Sequence, residues 1–169
     1  MSRFDPYLRN YVESSDGKRL RSEIAEAWES IDKPPPHKAI ARSLAVLKLA
    51  SQTNDRVLMA EACRLVAHSL NADEQYEPSI EYYQKAIALF EGAGLGELAA
   101  QTRLGSMVAL YMTGKYEEAA TAAAASEQWF SASNDLSGLA SQTKQSMVFT
   151  GRQCRRRVTF GKIRPEFLQ

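Results

Sequence analysis

The feature that most limits what this chain can fold into is a repeat of 40 residues. Sliding the sequence against itself by that distance lays Ala39-Ile40 over Ser79-Ile80, Leu47 over Ile87, Leu49 over Leu89 and Leu58 over Leu98. The next copy lays Tyr76-Glu77 over Tyr116-Glu117, Ile80 over Ala120 and Phe90 over Phe130. Asn54, Gly94 and Asn134 keep the same spacing, and Asn and Gly are the residue types that accept the left-handed conformation at a helix end. Asp55 and Asp135 follow them directly, placed to cap the next helix. Further on, Leu98-Ala-Ala-Gln-Thr-Arg103 is echoed one residue out of step by Leu139-Ala-Ser-Gln-Thr-Lys144. Self-similarity at this period marks a unit that buries its apolar face only against its neighbours.

Within each unit the apolar spacing is helical. Leu58, Met59, Ala62, Leu65, Val66, Ser69 and Leu70 advance mostly by three and four, as do Ile80, Tyr83, Ala86, Ile87 and Phe90. A strand would need alternation and β-branched enrichment, and neither is present. The pattern predicts seven helices, at about 16–31, 37–52, 55–71, 76–92, 97–112, 116–131 and 136–149. Pro34-Pro35-Pro36 separates the first two, because proline lacks an N–H and clashes with the preceding turn. With 44% apolar and 24% charged residues in 169, the chain has the composition of one globular domain rather than a disordered one. We expect an N-terminal segment over 1–15, a helical repeat domain over 16–150 and a basic tail over 151–169.

Tyr76-Glu-Pro-Ser-Ile-Glu-Tyr-Tyr-Gln-Lys-Ala86 and Gly114-Lys-Tyr-Glu-Glu-Ala-Ala120 resemble the second-helix motif of tetratricopeptide repeats, commonly written G-x-Y-x-x-A. Val66, Ala67 and Leu70 fit the large–small–large positions of that family's first helix. The period exceeds the usual tetratricopeptide length and is similar to the long-repeat subtype of bacterial signalling proteins, such as regulators of the maltose-activator type and arrays fused to CHAT protease domains. The second unit departs from the pattern, with Met107 where a small residue is usual and Ala123 where an aromatic is usual. The resemblance implies an all-α fold, a right-handed superhelical array of antiparallel helix pairs with about three and a half units. It also implies a concave surface lined by the first helix of each pair. That surface would carry Arg64, His68 and Asn71, then Gln101 and Tyr111, then Gln142 and Phe149 as the candidate partner-binding groove. Glu61, Leu104, Val108 and Gln145 fall on the same faces. The set lacks the Lys and Asn residues with which chaperone-binding relatives hold a peptide C-terminal carboxylate.

Little else in the chain carries chemistry. His37 and His68 are the only histidines and Cys63 and Cys154 the only cysteines, too few for a disulfide framework or a four-cysteine zinc module. Cys63 and His68 lie about 140° apart around one helix and cannot pair as thiol and imidazole. Gly92-Ala-Gly94-Leu-Gly96 lacks the third glycine spacing of a dinucleotide fingerprint and follows a helix, so it reads as a flexible turn between repeats. Gly114-Lys115 lacks the upstream glycine and the Ser/Thr of a phosphate-binding loop. Glu23, Glu26 and Glu29 read as a solvated face against Arg19 and Arg21. No enzyme activity, cofactor or metal is expected.

The chain has a net charge of +1, but its last 18 residues carry six basic and one acidic, leaving a net of −4 over 1–151. Arg3, Asp5 and Arg9 interrupt any signal-peptide core, and no apolar run approaches a membrane span, so a cytoplasmic protein is expected. The expected function is a protein- or peptide-binding scaffold with a partner of unknown identity, nucleic acid being disfavoured. The alternative is contact with nucleic acid or an anionic surface through the basic tail, with the repeats as an oligomerisation scaffold. The chain stops where a second helix is due. It is therefore expected to be the N-terminal part of a larger protein, and to self-associate through the apolar face of 136–149.

Overall fold

The computed structural model describes residues 15–31 and 35–132, and among them every regular element is an α-helix. Six helices follow one another: α1 (Ser15–Trp28), α2 (Pro36–Ala50), α3 (Arg56–Ala72), α4 (Tyr76–Gly92), α5 (Gly96–Met112) and α6 (Tyr116–Ala132). Their bounds lie within about three residues of those read from the apolar spacing. The predicted seventh helix, at 136–149, lies outside the described residues, as does the basic tail.

The start of each helix follows from its first residues. Asp55 caps α3 as expected, its carboxylate accepting from the Val57 and Leu58 amides at 2.9 and 3.1 Å. The proline run ends where Pro36 takes the first position of α2, with Pro35 extended at φ −86°. Proline suits that position because its missing N–H would have had no helical partner.

The ends of α3, α4 and α5 share one turn at 20-residue intervals. Glu74, Gly94 and Gly114 have φ of 61°, 73° and 79°. In each turn the next amide reaches back five residues: Gln75 to the Leu70 carbonyl at 2.9 Å, Leu95 to Phe90 at 2.9 Å and Lys115 to Leu110 at 2.8 Å. The left-handed residue itself donates three residues back, to Asn71, Glu91 and Tyr111. This pair of bonds is the Schellman motif, which satisfies the orphan carbonyls of a helix end. Gly94 therefore sits in a tight, fully bonded turn rather than a flexible one. Asn54 is not left-handed: α2 ends instead in a looser turn, with the Ser51 and Gln52 amides bonded to Leu47 and Leu49.

The helices form two layers. The backbone of α3 runs close to both α1 and α5 as well as α2 and α4, whereas the backbones of α2, α4 and α6 stay apart from one another. A stack whose odd helices touch while its even helices stand apart must curve towards the odd layer. Burial agrees with this, since α3 buries twelve of its 17 residues and α4 only five of 17. The core runs as successive clusters along the stack. Ile24, Val46, Leu58 and Leu65 fill the first pairs, Cys63, Ala86, Phe90 and Leu98 the next. Ile80, Leu110 and Ala119, and then Leu104 and Phe130, close the last.

Candidate functional site

The inner layer is centred on His68. Its ring is half-buried between Trp28 of α1, at 4.8 Å between centroids, and Tyr83 of α4, at 5.2 Å, both edge-on. Gly105 of α5 closes the third side, where a Cβ would stand 3.1 Å from His68 Nε2 and 3.2 Å from Tyr83 Cε1. The absence of that Cβ is what lets α5 approach α3 so closely. Four helices thus meet at one imidazole.

One turn earlier on α3, Arg64 is buried rather than displayed. Its guanidinium carbon lies 5.5 Å from the Trp28 ring centre and 5.7 Å from that of Phe90. It pairs with Glu61 at 3.0 Å, and both side chains are almost wholly buried. The charge is therefore neutralised within the fold, flanked by two aromatic faces that favour a cation.

One turn later, Asn71 is half-buried beside the Tyr83 hydroxyl, outside hydrogen-bonding geometry. Burial pushes the Tyr83 phenol well above its ordinary range, and the Arg64 charge draws it back by less. Desolvation likewise raises the Cys63 thiol, with Lys85 opposing it. A thiol held protonated in this way is a packing group, not a nucleophile.

Gln101 lies in the second turn of α5 and Tyr111 in its last. The Gln101 amide donates to Glu97 at 3.2 Å. The Tyr111 ring leans on Tyr116 at 4.8 Å and 59°, across the turn into α6. Both are half-buried. The structure therefore brings Arg64, His68 and Asn71 together around Tyr83, and sets Gln101 and Tyr111 apart on the next helix. Gln142 and Phe149 lie outside the described residues. Trp28 and Gly105 also belong to this surface, beyond the residues expected from the sequence. Trp28 was detectable, because it precedes His68 by 40 residues and so holds the same place in the preceding unit. Asn71 and Tyr111 are related by the same step.

Among the described residues no three His, Cys, Asp or Glu side chains converge as metal ligands, and no helix is long and apolar enough to cross a membrane.

No protein-family model matches the sequence, and no curated protein matches it. Two solved structures are similar in fold. One is a Rap protein complexed with competence and sporulation factor, superposing with a TM-score of 0.68 at 22% identity over 74% of this chain and 34% of that one. The chain thus spans about a third of that protein's length. The other is the TPR domain of Arabidopsis FLU, with a TM-score of 0.63 at 17% identity over 69% of this chain and 98% of that domain. Both likenesses are of backbone rather than sequence: the described residues form a tetratricopeptide-type α-solenoid.

Proposed function

We propose that this chain is a non-enzymatic scaffold whose inner layer, built by α1, α3 and α5, receives a segment of a peptide or protein partner. The observation that carries this reading is the clamp at His68. Trp28, Tyr83 and Gly105 fix four helices around it, so the neighbouring half-buried side chains of Asn71, Gln101 and Tyr111 stand on a firm support. A preformed surface loses little entropy on binding, which favours affinity from few contacts. Support also comes from the fold shared with a Rap protein that holds a bound factor. Of the candidate residues, Asn71, Gln101 and Tyr111 make direct contacts in this scheme, while Arg64 and His68 position the helices beneath them.

The test is a peptide selected from a displayed library and titrated into the protein. The side-chain amide resonances of Asn71 and Gln101 should shift on binding. Shifts confined to Gln84 and other outer-layer amides would reject the inner layer as the binding face.

A further inference from the structure

The outer layer carries a second groove. Because the backbones of α4 and α6 stand apart, α5 is left as the floor between them, under a cleft of about 440 Å³. Ile80 and Ile87 of α4, Leu110 of α5, and Ala122 and Ala125 of α6 make its apolar lining. At one end stand Glu117 and Glu118, exposed in the first turn of α6 and without an ion-pair partner among the described residues. The single cation on the lining, Arg103, is already held by Glu91. The cleft is therefore apolar along its length and negative at the start of α6.

We propose that this groove is the docking site for the chain's own C-terminal segment, residues 152–169. Three arguments select that occupant. The first is charge: the segment has six basic residues and one acidic, opposite an array that is net negative. The second is order along the chain. Arg155, Arg156 and Arg157 run directly into Val158 and Phe160, and in an extended chain these last two share a side. Cations set against Glu117 and Glu118 then lay the apolar pair over Ala122 and Ala125, further along α6. The third is reach. Glu117 to Ala125 lie seven to 15 residues before the end of α6 at Ala132, on the order of 10–23 Å away. With 136–149 helical as the sequence predicts, the steps from Ala132 to Arg152 still span up to about 45 Å, roughly 21 Å of helix and 24 Å of extended chain, which is enough. This surface lies on the face opposite the inner layer, so docking of the tail and binding of a partner are separate events.

The full chain supplies its own probe site. Cys63 is buried with its thiol held protonated, so a nitroxide reagent directed at thiols should label Cys154. Paramagnetic broadening is expected at the amides of 117–125 and 80–87, strongest at the start of α6 and weak in α1 and α2. In the Glu117→Gln/Glu118→Gln variant this broadening should fall several-fold. Trypsin cleavage after Arg155–Arg157, which needs no label, should accelerate several-fold in the same variant. Both glutamates are exposed, so the fold should survive the change, and an unchanged circular dichroism spectrum will show it. Broadening spread evenly over the helices would overturn the proposal. So would broadening seen only between labelled and unlabelled molecules in a mixture, which assigns the groove to a second copy. An unchanged trypsin rate in the variant would overturn it as well.

Discussion

Arg64 Nη2 donates to Glu61 Oε2 at 3.0 Å inside the stack, with both side chains cut off from solvent. Their spacing of three residues puts them on one face of α3, and the Trp28 and Phe90 rings cover the guanidinium. Removing Glu61 leaves the Arg64 guanidinium without its carboxylate in a region of low dielectric. Glu61→Ala should therefore cost about 3–5 kcal/mol in chemical denaturation. The double change Glu61→Leu/Arg64→Met, which removes both members of the pair, should stay within about 2 kcal/mol of the parent. Equal losses in single and double variants would show that the pair's packing, not its charge, is what matters.

Glu74 takes the left-handed conformation that Gly94 and Gly114 take in the two following turns. A side chain there is strained by about 1–2 kcal/mol. Glu74→Gly should raise stability by up to about 1 kcal/mol, and Gly114→Ala, whose added carbon meets nothing within 4 Å, should lower it through backbone strain alone. Thermal melts of the two variants should move in opposite directions.

Those turns show how much of the fold was legible. Gly94 and Asp55 were identified from the 40-residue step, and the buried stripe of Tyr83 and Phe90 from helical spacing. The real turn interval is half the repeat, 20 residues, and was hidden because Glu74 occupies a position where glycine is usual. Asn54 departs from the expected left-handed conformation because its residue type permits that conformation without requiring it. The site was less legible than the fold. Arg64 carries a charge, so its place on the inner helix suggested display. Only the packed structure shows Glu61 neutralising it and two rings enclosing it.

Gly105 is a glycine for lack of space, not for its backbone angle. An added methyl would press on both His68 and Tyr83 at 3.1–3.2 Å, contacts tighter than a close-packed interior accepts without movement. Gly105→Ala should cost about 1–3 kcal/mol and shift the His68 ring resonances. A melt unchanged from the parent would mean that α5 does not rest against the imidazole.

Alkaline pH tests the burial of Tyr83 and Cys63. Burial raises both groups above their ordinary values, so the folded chain keeps protons that the unfolded chain releases. Their stabilising effect is intact below the unfolded-state pKa and is lost as pH climbs towards the folded one. Stability should hold through neutral pH and fall from about pH 9 upward, where the thiol begins to titrate when unfolded. Tyr83→Phe removes a hydroxyl that makes no hydrogen bond. It should leave neutral-pH stability within about 1 kcal/mol and flatten the loss above pH 10.

Whether the inner layer is a binding surface is decided by the affinity of a library-selected peptide for the parent and for single variants on each face. Gln101→Ala and Tyr111→Ala alter half-buried side chains whose removal leaves the core intact. Each should weaken binding by about 1–2 kcal/mol, a rise in Kd of roughly 5- to 30-fold. Gln84→Ala, on the exposed outer layer, should leave Kd unchanged. A peptide bound equally well by both inner variants, but weakened by Gln84→Ala, would contradict the assignment.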